Sequence, residues 1–316
     1  MQGYSINGYL NAVRRRTTKT VLVEGATDSS VLVRLKRSIG VTTGQEPSGN
    51  IDVTGLLTDE ALKGLGKRDV LRTVLAAAST LAQKSPDVEK KFGTLQDREW
   101  DNLDLSAQID SCWTSPFQNE PHFTTTGHSI ENYFFKLEFV EAFLLYSHSD
   151  DLDQYFFNSL QNRFKRIIAL ATVYSIGLKN ISAITKSGSL LNRQCIVWNG
   201  SDYQLTENLS ILLSQRNVSV PSQFVSSLNA KISSSQTSSN LPDPARWLCH
   251  GHLGEDAIWA CIGHLAFEHT GKDELAQAVE RGNRDAKFKH AVDKLSNEVH
   301  EDVDPLRRVI NWLTSI

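Results

Sequence analysis

A chain of 316 residues, 40% hydrophobic and 22% charged, is long enough for one large domain or two ordinary ones. Its net charge of −3 and pI of about 6.3 exclude a polycation that coats nucleic acid, but not a local basic site facing phosphates. No apolar run nears the ~20 residues of a membrane span, no signal-peptide core opens the chain, and the cysteines at 112, 195, 249 and 261 lack a framework spacing, so reduced thiols in a cytoplasmic protein are expected.

In chain order, Tyr9, Leu10 and Val13 predict a short first helix ahead of the arginine triplet Arg14–Arg16. Val21–Val23 predict a buried strand that ends on Glu24 and Gly25, and helical spacing of Val31, Leu32 and Leu35 follows. Asp28 or Ser29 is the expected N-cap of that helix, because a short polar side chain accepts from an unpaired backbone N–H. Between Met1 and Gln45 seven basic residues surround only two acids, Glu24 and Asp28. Asn50–Gly55 predict a second strand, and Thr58–Gln83 a long helical region containing Gly64-Leu-Gly-Lys67-Arg68. Phe92–Gln96 and His122–Thr126 predict two more strands, which lead into Asp97-Arg-Glu-Trp-Asp101 and Gly127-His-Ser-Ile-Glu-Asn-Tyr133.

Strands alternating with helices argue for an α/β fold with a mostly parallel sheet flanked by helices. Beyond Lys136 helical periodicity takes over at Phe139–Tyr146, Leu152–Ile176 and Glu255–Phe267, with no strand run of comparable length. Ser233–Pro244 reads as a loop, and Pro305–Ile316 as a last helix with proline near its start. The reading divides the chain into an α/β domain, 1–140, and a mainly α-helical domain, 141–316, expected to supply dimer or partner contacts. Trp247, Trp259 and Trp312 are expected in cores.

Three acidic groups fall at predicted strand ends: Glu24 with Asp28, Asp97 with Glu99, and Glu131. Ligands of open α/β sheets bind where strands end and helices begin. Crowded carboxylates repel unless a cation neutralises them, and Mg²⁺ needs only one or two direct carboxylates because it keeps several waters. Lys67 and Arg68 are candidates to offset phosphate charge, with a solvated helix surface as the alternative. His128 is a candidate proton shuttle or a hydrogen-bonded structural histidine. His250 and His252 are candidates for nucleic-acid contact or for packing. Cys249-x-x-His252 with Cys261-x-x-His264 imitates a zinc spacing, but the second pair lies in an apolar helical stretch, so no zinc site is expected.

Val23-Glu-Gly-Ala-Thr-Asp28 followed by Leu95-Gln-Asp-Arg-Glu99 resembles the TOPRIM fold of topoisomerases, primases and OLD-type nucleases. Gly127–Tyr133 and Trp247-Leu-Cys-His-Gly-His252 further resemble the AriB-like TOPRIM nuclease subunits of PARIS anti-phage systems. The TOPRIM likeness spans roughly the first 140 residues, and the narrower AriB-like resemblance extends weakly over the rest. The resemblance implies Glu24 as the catalytic glutamate, Asp97 and Glu99 as the metal pair, Asp28 as an additional ligand and Glu131 as a later acid closing the site. Glu99 departs from the family's Asp-x-Asp, being one methylene longer. It further implies Mg²⁺, or Mn²⁺, as cofactor and a toxic endoribonuclease acting on tRNA. An ABC-type ATPase partner would release it, and it would work as a homodimer away from any membrane. An OLD-type DNA nickase and a non-catalytic TOPRIM binding module are the alternatives.

Overall fold

The structure, a computed structural model, describes residues 3–44, 47–105, 112–235, 245–297 and 303–315. Its contacts gather into two compact units: Met1–Arg98, Ser115–Thr126 and Val292–Ile316 in the first, Glu99–Thr114 and Gly127–Ala291 in the second. These units interleave along the chain, where the sequence reading divides it once, near residue 140. Among the described residues, no helix is long and apolar enough to cross a membrane.

The first unit is α/β. Helix α1 (Ile6–Arg15) precedes β1 (Thr20–Val23), α2 (Ala26–Thr43), β2 (Asn50–Val53), α3 (Lys67–Ala82), α4 (Pro86–Lys91), β3 (Phe92–Gln96) and β4 (His122–Thr124). The four strands form one parallel sheet in the order β2-β1-β3-β4. Every residue of β1 is fully buried, as a central strand covered on both faces must be, and this is why it reads as a continuous apolar run. Leu22 and Phe92 face a cluster built with Tyr9, Leu10, Leu71 and Val74 from α1 and α3. Gly93 points to the opposite face, as strand alternation requires, and a side chain there would strike Trp312 and the Pro121 carbonyl. Trp312 belongs to the last helix, Leu306–Thr314, whose N-cap is Pro305. Asp52 on β2 accepts from the Tyr9 hydroxyl at 3.1 Å and from Arg16 at 2.6 Å, tying α1 to the sheet edge.

The expected helix over Thr58–Gln83 is shorter in the structure. A 3-10 turn at Glu60–Leu62 precedes Gly64, whose φ is +82°, and α3 begins only at Lys67 after an N-cap at Gly66. The left-handed glycine interrupts the run because few other residues adopt that backbone. The expected cap of α2 also shifts. Gly25 is the N-cap, and Asp28 sits three residues in, with its Oδ2 accepting from the Gly25 N–H at 2.8 Å.

The second unit is mainly helical. Its centre is the 27-residue helix Gln154–Asn180, in which every residue from Ile167 to Leu178 is buried. A helix apolar all round is a core helix. The helix Gly251–Thr270 packs along it, and the helix Asp273–Arg281 approaches Gly263 closely enough that an added Cβ would lie 2.8 Å from Glu280. A short antiparallel pair, β5 (Ile196–Trp198) and β6 (Tyr203–Leu205), interrupts the helices where no strand was expected. Asn199 Oδ1 accepts from the N–H groups of Ser201 and Asp202, and Gly200 has φ +101°, so the turn itself is what the sequence carries. Trp247 and Trp312 are buried, and Trp259 is half-buried against the core. Residues 236–244 of the expected loop lie outside the described residues, while Ser233–Ser235 close the helix Pro221–Ser235.

Candidate functional site

In the first unit the acids follow from strand register. Val23, the last residue of β1, pairs with Leu95 of β3, so the two central strands end within one residue of each other. Glu24 is the next residue on one strand, and Asp97 lies just past the end of the other. The Asp97 N–H donates to Glu24 Oε1 at 2.9 Å, so the glutamate reaches across to its neighbour's backbone. Both residues are half-buried. Thr54, directly after β2, donates its hydroxyl to the Glu24 carbonyl at 2.6 Å. Three strand ends are thereby joined at one place. A threonine ending a strand was the only sequence signal for that residue.

Gly25 has extended backbone angles that any residue adopts, so its value lies in space. A Cβ there would sit 3.3 Å from Lys67 Nζ, which means that the exposed Lys67 side chain leans over the Glu24–Gly25 turn. Arg68 is half-buried and donates to the Arg98 carbonyl at 3.2 Å. It braces the loop after β3 through that bond. Arg98 itself is buried, and its N–H donates to Thr125 Oγ1 at 2.9 Å. Asp28, 8% exposed, gives one carboxylate oxygen to the α2 turn.

The second unit holds the remaining residues. Glu99 has an exposed side chain and a left-handed backbone, φ +52°, and its N–H donates to the His128 carbonyl at 2.7 Å. The His128 N–H donates in turn to the Trp247 carbonyl at 2.9 Å. The ring of His128 packs 4.3 Å from Trp100 and 4.5 Å from His250 by centroid. Asn132 is fully buried and joins the two motifs: its Oδ1 accepts from Ser129 N–H at 2.8 Å, while its Nδ2 donates to the carbonyls of Arg246 and Cys249 at 2.6 and 2.9 Å. Gly251 allows the same approach, since a Cβ there would lie 2.7 Å from Glu131 Oε2 and strike Ser129. Glu131 Oε1 is 3.6 Å from Nδ1 of His252, an exposed side chain. The sequence reading included the motif but missed what Asn132 and Gly251 do, because neither residue type signals a ligand.

His250 caps the helix Gly251–Thr270. Burial, aided by His252 and opposed by Glu131, lowers its pKa to about 4. A neutral ring offers no charge to a phosphate near pH 7, so His250 packs and caps rather than neutralises. Cys249 lies in the core against Thr172 at 3.2 Å, with its thiol pushed up to about 12 by burial, and Cys261 is equally buried. Both thiols are core groups, as the apolar context of Cys261 implied.

Glu24 and Asp97 are therefore brought together in one unit, and Glu131 and His252 in the other. Among the described residues, no group of three or more His, Cys, Asp or Glu side chains is arranged to hold a metal ion. The pair Glu24 and Asp97 still fits Mg²⁺ by donor type, because hard carboxylate oxygens are its preferred ligands and two suffice when water completes the shell. No family model and no curated protein matches the chain.

Asn132→Ala would remove the partner of the buried Ser129 N–H and the side-chain donor to the Cys249 carbonyl, and leave the Arg246 carbonyl only its long bond from Cys249 N–H. The expected loss is roughly 2–4 kcal/mol of stability, read from urea denaturation, and an unchanged midpoint would contradict the assignment. Protonating His250 is harder in the folded state than in the unfolded one, so the unfolded chain binds the extra proton first. Its stabilising contribution is whole above pH 6.5 and falls as pH drops toward 4, by up to ~1.4 kcal/mol per pH unit. Denaturation midpoints across that window should fall less steeply in His250→Asn, which keeps a capping side chain; parallel curves would count against it.

Proposed function

We propose that the chain is a metal-dependent phosphodiester hydrolase whose acids are centred on Glu24 and Asp97. One observation carries this reading: residues 73 apart in sequence meet at the carboxyl ends of the two central parallel strands, with Asp97 N–H on Glu24 Oε1. Strand ends of an open α/β sheet are where such folds bind ligands. Lys67, leaning over the Glu24–Gly25 turn, supports it by supplying a cation where a phosphate would lie.

Glu24 and Asp97 would hold the ion, Mg²⁺ or Mn²⁺. Such an ion polarises a phosphoryl oxygen and lowers the pKa of a bound water. Besides binding the ion, Glu24 would accept the water's proton. Asp28 holds the α2 turn, and Lys67 offsets charge on the phosphate. The TOPRIM resemblance adds Glu99 and Glu131 as further acids. It also supplies the substrate, RNA with tRNA foremost, and the setting: a toxic anti-phage effector held by an ABC-type ATPase and active as a homodimer. DNA nicking, as by OLD-type enzymes, is the competing substrate choice.

Labelled tRNA, single-stranded RNA and supercoiled plasmid offered to the purified chain with Mg²⁺ separate these substrates. Glu24→Gln and Asp97→Asn should each slow cutting by roughly 10²–10⁴-fold without moving the melting temperature. In cells, expression of the wild type should leave new RNA ends that Glu24→Gln does not. Cutting at wild-type rate by either variant would refute the proposal, and nucleic-acid binding with no cutting of any substrate would favour a non-catalytic module.

A further inference from the structure

A cavity of about 380 Å³ opens beside the Glu24 turn, within the first unit. Thr54, Leu57, Thr58, Leu62, Leu65 and Lys67 line it. Its walls come from the 3-10 turns that follow β2 and from the first turn of α3, the region where Gly64 and Gly66 interrupt the expected helix. Two lining residues also belong to the candidate site. Thr54 donates its hydroxyl to the Glu24 carbonyl, and Lys67 leans over Gly25. The cavity and the acid turn thus share a wall and an ammonium.

The lining has a definite chemistry. Leu57 and Leu62 are buried in the underlying core, and Leu65, 43% exposed, contributes an apolar edge. Of the two nearby carboxylates, Asp59 is engaged, accepting from the N–H groups of Ile6 and Ala61, and Glu60 stands exposed at the rim, 3.8 Å from the equally exposed Lys63. A volume of this size falls within the range of small-molecule sites, about 300–1,000 Å³. An apolar slot with polar edges and a cation toward the neighbouring acids suits a flat heterocycle attached to a phosphate. Nucleobases taken out of a stack are held in this manner, between apolar side chains with polar groups at their edges.

We propose that this cavity seats the nucleobase adjoining the phosphodiester at Glu24, and so sets a base preference at one position beside the cut. The proposal rests on the hydrolase reading and adds to it a specificity subsite in which Leu65 forms one wall and Lys67 bridges base and phosphate.

The test uses the full chain in EDTA, so that binding is read without cutting. A fluorescein-labelled single-stranded oligoribonucleotide carries one abasic residue, moved position by position, and affinity is read by anisotropy. For the wild type, one position should weaken binding by about 5-fold or more when its base is missing. Leu65→Trp fills the slot from an exposed position, and Leu65→Phe does so partially. Leu65→Trp should bind intact and abasic strands alike, with Leu65→Phe intermediate and urea midpoints as in the wild type. A flat abasic scan in the wild type, or an undiminished position effect in both variants, overturns the assignment. If the wild type cuts strands with Mg²⁺ but gives a flat scan, the cavity assignment alone falls. If it neither binds nor cuts RNA or DNA, the hydrolase reading falls with it.

Discussion

Parallel pairing of β1 with β3, Val23 opposite Leu95, brings two strand ends within one residue of each other, and the geometry at Glu24 depends on that register. A slip of one residue would exchange the faces of every side chain on β1, placing Leu22 away from the core it shares with Phe92 and moving Glu24 off the Asp97 N–H. The burial of β1 on both faces makes such a slip costly, because each face already packs against helices. Packing thereby fixes the position of a carboxylate that takes no part in the packing itself. The Thr54 hydroxyl on the Glu24 carbonyl extends the same constraint to β2.

Around this fixed point the first unit divides its charged residues by task. Asp28 and Arg68 hold backbone, one at the start of α2 and one after β3. Lys67 stands outside these bonds, exposed and over a glycine that leaves it room. Two neighbouring basic residues thus sit differently, one bonded to a loop carbonyl and one exposed beside the Glu24–Gly25 turn. The second unit uses a different device. There a buried asparagine and a glycine let the Gly127–Tyr133 segment and the Trp247–His252 segment meet, so two motifs far apart in the chain become one local structure.

The strands of the first unit were legible because buried parallel strands read as apolar, β-branched runs bounded by turn residues, and Phe92–Gln96 appears with the same limits in sequence and structure. Glu24 and Asp97 were legible for the same reason, being the first acids after such runs. The start of α3 was misplaced because the helical region was drawn through Gly64, whose left-handed backbone ends the preceding turn before α3 begins at Lys67. The β5–β6 pair was overlooked because three-residue strands carry almost no periodicity, although Asn199-Gly200 marks the turn between them. The bracing by Arg68 and the neutral state of His250 depend on tertiary surroundings. No local pattern encodes a backbone carbonyl 30 residues away or the burial of one imidazole.

The central claim is that Glu24 and Asp97 act on one divalent ion. The most direct measurement is titration of the full chain with Mn²⁺ followed by electron paramagnetic resonance, comparing the wild type with Asp97→Ala and Glu24→Ala. The account predicts a site that takes up Mn²⁺ in the wild type, is displaced by Mg²⁺, and weakens at least tenfold in each variant. Equal Mn²⁺ uptake by all three proteins, or none by the folded wild type, would contradict it.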